Sequence, residues 1–237
     1  MTTSNTTIPI QSPHNSRKDL LFQGRLVGER FYDVSSTGEK VPFRRIRLSP
    51  TPQAFGGQPQ PSVYLTDVTG PFGENANNET PVKRQRPLPG SPTQLAAARA
   101  GIVTPEMAYV ATRENLCRQQ LKTEVEAQGN EKLIKLLSPA LDAPLFTPEQ
   151  IRDLVATRQA VIPCNFNHPE CEPMVIGKHF ATKVNANIGT SSSSKNWREE
   201  LDKLKESLLC GADTVMDLST GKSIIQTREM ILRHRSE

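Results

Sequence analysis

The chain has 237 residues, nineteen of them proline and fourteen glycine, and apolar residues make up only 35%, below the roughly 45–50% of an average globular domain. A net charge of +4 is too mild to require a nucleic-acid partner. No apolar run approaches the roughly 20 residues of a membrane-spanning helix, so a transmembrane protein is not expected, and one large or two small domains with a moderate core are expected.

The chain opens polar, Met1-Thr2-Thr3-Ser4-Asn5-Thr6-Thr7. Without apolar periodicity, residues 1–18 read as a disordered N-terminus. No hydrophobic signal segment precedes Cys117, Cys164, Cys171 and Cys210, so reduced thiols and a cytoplasmic location are expected.

Residues 19–72 read as strand-rich. Phe22, Leu26, Phe31 and Tyr32 lead to a turn at Ser36-Thr37-Gly38, and Val41-Pro42-Phe43-Arg44-Arg45-Ile46-Arg47-Leu48 then alternates apolar and charged positions. That pattern predicts a half-buried strand whose arginines, Arg44, Arg45 and Arg47, form a solvated basic face. Four prolines and two glycines make residues 49–61 a loop, and Ser62-Val63-Tyr64-Leu65 is a further short strand. Asp67 to Phe72 is a turn, and residues 73–92 are a polar, breaker-rich loop.

The character changes at Thr93. Residues 93–100 predict a short helix closed by Gly101. Thr104-Pro105-Glu106 is a helix start: Thr caps, Pro suits the first position, and the acid favours the positive dipole end. Met107, Val110, Ala111, Cys117, Leu121 and Val125 share one face of that helix. Thr147-Pro148-Glu149-Gln150 repeats the signal as a capping box, with Ile151, Leu154 and Val155 as the apolar stripe. Residues 161–170 are irregular.

Beyond residue 178 the pattern becomes β-α-β-α. Phe180 to Ile188 reads as a strand. Asn196 caps a helix that buries Leu201, Leu204 and Leu208 and ends at Gly211. Ala212 to Leu218 is a second strand, Ser219 to Lys222 a turn, and the last helix carries Ile225, Met230 and Ile231. Two strands joined by such a helix form a right-handed parallel unit, which belongs to a barrel or an open sheet with covered faces.

In α/β folds ligands sit at the carboxyl ends of the strands. That rule selects Asn185-Ala186-Asn187-Ile188-Gly189 and Met216-Asp217-Leu218-Ser219-Thr220-Gly221. Asn187 could donate and accept toward a polar ligand, and Asp217 could accept from a hydroxyl or amine. Alternatively, both shape turns through bonds to nearby backbone. Cys164, His168 and Cys171 are three soft donors within eight residues, but the spacing matches no regular zinc pattern, so a turn held by amides is expected there and no metal ligand is assigned. Ser191 to Ser194 lie in no nucleophile elbow.

Several stretches resemble one family, phosphomethylpyrimidine synthase, the ThiC proteins of thiamine biosynthesis. They are Thr93-Gln94-Leu95 with Ala98 to Met107, Tyr109-Val110-Ala111 and Arg113-Glu114-Asn115; Ile162-Pro163 with Asn165, Asn167 to Glu170 and Glu172-Pro173-Met174; Lys183 to Gly189; and Gly211 to Lys222 followed by Thr227-Arg228-Glu229 and Ile231-Leu232-Arg233. Weaker traces reach back to about residue 22. The resemblance implies a radical S-adenosylmethionine lyase with a 4Fe-4S cluster and zinc. It rearranges aminoimidazole ribotide into hydroxymethylpyrimidine phosphate, works as a homodimer, and carries an N-terminal domain before a (β/α)8 barrel. By this resemblance Asn187 and Met216 match substrate-contacting residues at the ends of the first two barrel strands.

The expected fold is therefore mixed α/β: an N-terminal α+β domain over residues 19–177 (strand-rich 19–72, loop 73–92, helical 93–160), then the first two β-α units of a truncated barrel over 178–237. The family's Cys-x2-Cys-x4-Cys cluster motif does not occur in this sequence, and the resemblance puts the cluster and zinc ligands beyond residue 237. Cys164 and Cys171 stand at positions that are not cluster ligands in the family. The chain alone is thus expected to bind no cofactor, to supply no catalytic residue and to be inactive. The alternative is a non-catalytic paralogue or interaction subunit that binds the full-length enzyme.

Overall fold

A computed structural model describes residues 28–34, 40–68, 93–165, 167, 171–191, 197–220 and 224–233. The predicted disordered start, the turn at Ser36-Thr37-Gly38, the 73–92 loop, His168, Ser192 to Ser194, the Asn196 cap and Gly221-Lys222 lie outside the described residues. The contacts divide the chain into two units. One comprises Met1–Asp67 and Leu116–Pro144, the other Val68–Asn115 and Leu145–Glu237.

In the first unit, β1 (Gly28–Val34), β2 (Lys40–Ile46) and β3 (Val63–Thr66) form an antiparallel sheet in that order. Phe31 lies opposite Phe43 in register, and the two rings stack with centroids 5.8 Å apart while Tyr64 meets Phe31 edge-on at 5.9 Å. Val41, Phe43 and Ile46 are buried. The basic strand face needs correction. Arg44 is only 3% exposed and donates to the buried Asp67 carboxylate at 3.1 Å. A buried guanidinium is tolerated because a carboxylate and fixed geometry replace its water. Arg45 and Arg47 both pair with Glu29, Arg47 at 2.7 Å, and these two guanidinium groups hold the half-buried Glu29 carboxyl below its ordinary range.

The same unit holds the C-terminal half of α2 (Pro105–Gln128) and all of α3 (Glu131–Leu141). Pattern reading gives no element for 131–141, yet Asn130 caps a regular helix there by accepting from the Leu133 N–H at 3.1 Å. Pro139 sits inside its last turn. Glu124 on α2 accepts from the Tyr64 N–H of β3 at 2.8 Å. Burial still pushes the Glu124 carboxyl up, against that hydrogen bond. Leu121, expected on the apolar face, is 45% exposed.

The second unit begins with α1 (Gln94–Arg99), capped by Thr93, whose hydroxyl accepts from the Ala96 N–H at 3.2 Å. The N-terminal half of α2 follows. Helix α4 (Pro148–Ala156) has the predicted capping box: Gln150 N–H donates to the Thr147 hydroxyl at 3.2 Å, and Thr147 N–H donates to the Gln150 side chain at 3.0 Å. Met107, Val110 and Ala111 of α2 bury against Ile151 and Val155 of α4 and against Ile162 and Val175. Strand β4 (Ala160–Val161), which reaches only the first residue of the segment expected to be irregular, pairs antiparallel with β5 (Ile176–Gly177).

The last part contains β6 (Asn185–Ile188), α5 (Trp197–Leu209), β7 (Thr214–Asp217) and α6 (Ile224–Arg233). The predicted β-α-β-α order holds, and β6 pairs parallel with β7. The first strand is shorter than the 180–188 reading. Glu114 takes the backbone N–H of Ala181 at 3.1 Å and the ammonium of Lys183 at 2.7 Å, so a side chain, not a neighbouring strand, satisfies that stretch. Phe180 packs on Phe146 with centroids 4.8 Å apart. Ile188, Val215, Leu201, Leu204, Leu208 and Ile231 form one core with Val68. Ile225, one of the three apolar residues noted on the last helix, is 80% exposed and is not among the residues of that core.

Candidate functional site

Side chains alternate along a strand, so the parallel register sorts the two faces of the β6–β7 ribbon. Asn185 pairs with Thr214, Ala186 with Val215, Asn187 with Met216 and Ile188 with Asp217. Ala186, Ile188 and Val215 turn to the helical core. Asn185, Asn187 and Met216 lie on the opposite face and are exposed, Met216 by 52%. The two residues selected from the sequence, Asn187 and Met216, are thus side by side on one face.

Asn187 is held in position. The Thr214 hydroxyl donates to Asn185 Oδ1 at 2.9 Å, and Asn185 Nδ2 donates to Asn187 Oδ1 at 2.8 Å. The relay uses the Asn187 oxygen and orients its Nδ2 donors. Beside it, the Met216 thioether offers a polarisable surface suited to a planar ring. Asn185 belongs to the strand-end cluster selected from the sequence but carries no role there, and Thr214 lies outside both clusters. Their two-residue spacing from Asn187 and Met216 is the signal that places them on the same face.

The strand ends are tied together closely. Leu218 N–H donates to Ile188 O at 2.7 Å, and Thr220 N–H to Thr190 O at 2.8 Å. Gly189 has a φ of 150°, and a Cβ there would lie 2.5 Å from the Ser219 nitrogen, so this crossing requires glycine. Its N–H donates to the fully buried Glu200 carboxylate of α5 at 2.7 Å, which Lys203 balances at 2.6 Å. Thr190 N–H donates to the Ser219 hydroxyl at 3.0 Å.

Asp217 follows the turn-shaping alternative. Its Oδ1 accepts from the Ser219 N–H at 2.9 Å and from the Ser219 hydroxyl at 2.5 Å, while Oδ2 accepts from Arg228 Nε at 3.0 Å. Both oxygens are engaged within the protein, whereas Asn187 keeps its donors on an exposed face. The two strand-end residues thus differ in how far their polar atoms are engaged within the protein.

None of the four cysteines is in a disulfide: Cys171 is buried, Cys117 and Cys164 are half-buried, and Cys210 is exposed. Desolvation first, and the Glu206 carboxylate second, raise the Cys210 thiol pKa, which disfavours the thiolate a metal needs. Cys171 donates to the neighbouring Glu172 carbonyl at 3.7 Å. Among the described residues no three or more His, Cys, Asp or Glu side chains come together as metal donors. A four-iron cluster needs converging thiolates, and the described residues do not fit it. Nor is any described helix long and apolar enough to cross a membrane.

The radical SAM ThiC family model matches residues 93–236. The match spans α1 to α6 and includes both strands of the exposed amide-thioether face. Since it covers more than half of the chain, this protein belongs to the radical SAM ThiC family, whose function lies in thiamine biosynthesis.

Proposed function

We propose that the β6–β7 face reads aminoimidazole ribotide for the phosphomethylpyrimidine synthase reaction, the carbon–carbon lyase rearrangement that yields hydroxymethylpyrimidine phosphate. The observation that carries this reading is the pairing of Asn187 with Met216 on an exposed sheet face. An amide with free donors and a thioether beside it suit a flat, nitrogen-rich ring. In this reading β6 and β7 are the first two strands of a (β/α)8 barrel. The helical core lies outside, and the Asn187 face lines the interior. Asn185 and Thr214 are positioning residues that hold the Asn187 amide.

The family chemistry uses a four-iron cluster and S-adenosylmethionine. No step through them is assigned to the residues described above. We infer that residues 1–237 contribute substrate recognition and do not complete turnover by themselves. Calorimetric titration of the chain with aminoimidazole ribotide tests the first part. Asn187→Ala should weaken binding about tenfold, the value of one charge-free amide contact plus its desolvation, with an unchanged melting temperature. Equal affinity for both proteins would overturn the assignment. Expression of residues 1–237 in a thiamine auxotroph tests the second part: growth without a pyrimidine supplement contradicts it.

A further inference from the structure

Helix α4 ends in an arginine where the backbone calls for glycine. Arg158 N–H donates to Val155 O at 3.0 Å and Gln159 N–H to Leu154 O at 2.8 Å. This is the paired closure of a helix whose next residue adopts the left-handed conformation. Arg158 has a φ of 63°, and among the described residues no other non-glycine has a positive φ. Gly101, Gly129 and Gly211, which follow other helices, take similar values at 76°, 63° and 92°. Glycine adopts that conformation without a Cβ clash, whereas arginine strains it. The turn is fixed from the other side by Gly177, where a Cβ would lie 2.6 Å from the Gln159 carbonyl oxygen.

The strained residue stands at a cavity. A space of about 460 Å³ opens beside it, within the size range of small-molecule sites. Leu95, Val155, Ala160 and Ile162 give it apolar walls, and the half-buried Cys164 thiol adds to them. Gln94 also lines it, but its amide is spent. Nε2 donates to Glu106 at 3.1 Å, and Oε1 accepts from the Thr104 hydroxyl at 2.6 Å. Among the described lining residues Arg158 alone is charged. Its guanidinium forms no hydrogen bond or ion pair with any described residue, although its backbone is held as above.

We propose that this cavity binds a small organic anion: Arg158 holds the phosphate or carboxylate, and the Leu95–Val155–Ile162 wall takes a ring-sized apolar body. The guanidinium fork supplies the charged contact, and the wall supplies burial. The site shares no residue with the Asn187–Met216 face and does not depend on that reading. A backbone strain retained at the mouth of a cavity is the pattern of stability exchanged for binding.

That exchange gives the test its sign. Phenyl phosphate is titrated into the chain by amide NMR, with inorganic phosphate and benzyl alcohol as half-ligands, and iodoacetamide labelling of Cys164 is followed by peptide mass spectrometry. Phenyl phosphate should saturate, shift the Arg158 and Ile162 amides and slow Cys164 labelling, while each half-ligand binds at least tenfold more weakly. Arg158→Gly should lose at least tenfold in phenyl phosphate affinity and yet melt about 2 °C higher, because the left-handed strain is relieved. Arg158→Asn, neutral but tolerant of that conformation, should lose the same affinity. Saturation absent up to about 10 mM, undiminished binding by either variant, or equal binding of a half-ligand would overturn the proposal.

Discussion

The antiparallel β1–β3 sheet and the parallel β6–β7 ribbon divide polar and apolar residues in opposite ways. In β2 the alternation fails: Val41, Pro42, Phe43, Arg44 and Ile46 are all buried, and a guanidinium enters the interior with its carboxylate partner. Tyr32 and Val34 of β1 are meanwhile exposed. In the ribbon the alternation is clean, with Ala186, Ile188 and Val215 in the core and Asn185, Asn187 and Met216 outside. The difference teaches that an arginine in an apolar strand can mark a buried partner, while a strand pair backed by helices on one side can leave small amides and a methionine exposed on the other. The first sheet spends its polar groups on itself. The second keeps the Asn187 donors available.

Four substitutions sharpen or break that contrast. The largest effect is expected at Arg44. Arg44→Ala leaves Asp67 buried beside an unfilled site and should cost about 3–5 kcal/mol in urea unfolding. Arg44→Ala with Asp67→Ala should cost less than the sum of the single changes. Additive losses would show that the pair is not coupled. Next, Leu204→Ala opens a cavity beneath the ribbon, where Leu204 is fully buried. A loss of about 2–5 kcal/mol is expected, and a ribbon that kept its stability would not rest on the helical core. Gly189→Ala should follow at about 1–3 kcal/mol, because its Cβ would meet Ser219 and Leu218 backbone atoms. Amide exchange at Ser219 and Thr220 should speed up in that variant, and unchanged exchange would refute the tight crossing of the strand ends.

The smallest change concerns Glu124. Its carboxyl pKa is raised, by burial first and against the Tyr64 N–H hydrogen bond. A raised folded-state pKa means the protonated form is favoured on folding. Its stabilising share is therefore complete below the unfolded value and is lost as pH rises through the folded one. Glu124→Gln keeps an oxygen for the Tyr64 N–H and removes the charge. It should raise stability slightly at neutral pH, above the raised folded-state pKa, by less than about 1 kcal/mol, and leave acid stability unchanged. A fall at neutral pH would show that the charge itself is needed. Glu29 runs the other way: Arg45 and Arg47 lower its pKa, so its share is present at neutral pH and is lost in acid.

Much of this architecture was legible along the chain because its signals are local. Thr93, Thr104 and Thr147 announce helix starts through a hydroxyl that satisfies an orphan N–H. Gly101 and Gly211 close helices through a conformation that suits glycine. The repeat of strand and helix after residue 178 implied a parallel pair, and the family pattern was carried by uninterrupted runs such as Lys183 to Gly189 and Gly211 to Lys222. Helix α3 lies within the stretch read as helical, 93–160, but the reading delimits no element there. Strand β6 was read too long because Glu114, distant in sequence, takes up the Ala181 amide and the Lys183 ammonium.

By itself, the sequence determined most helix starts, the β-α-β-α order and the family, and it singled out Asn187 and Met216 as candidates. Each of these depends on neighbours a few residues apart or on a contiguous motif. Only the tertiary structure decided that Arg44 is buried with Asp67, that Asp217 is spent on Ser219 and Arg228, that Asn185 and Thr214 hold Asn187, and that Arg158 faces a cavity in a strained backbone. Burial and pairing depend on which distant groups replace water around a charge. That replacement is fixed when the elements pack, not when they form.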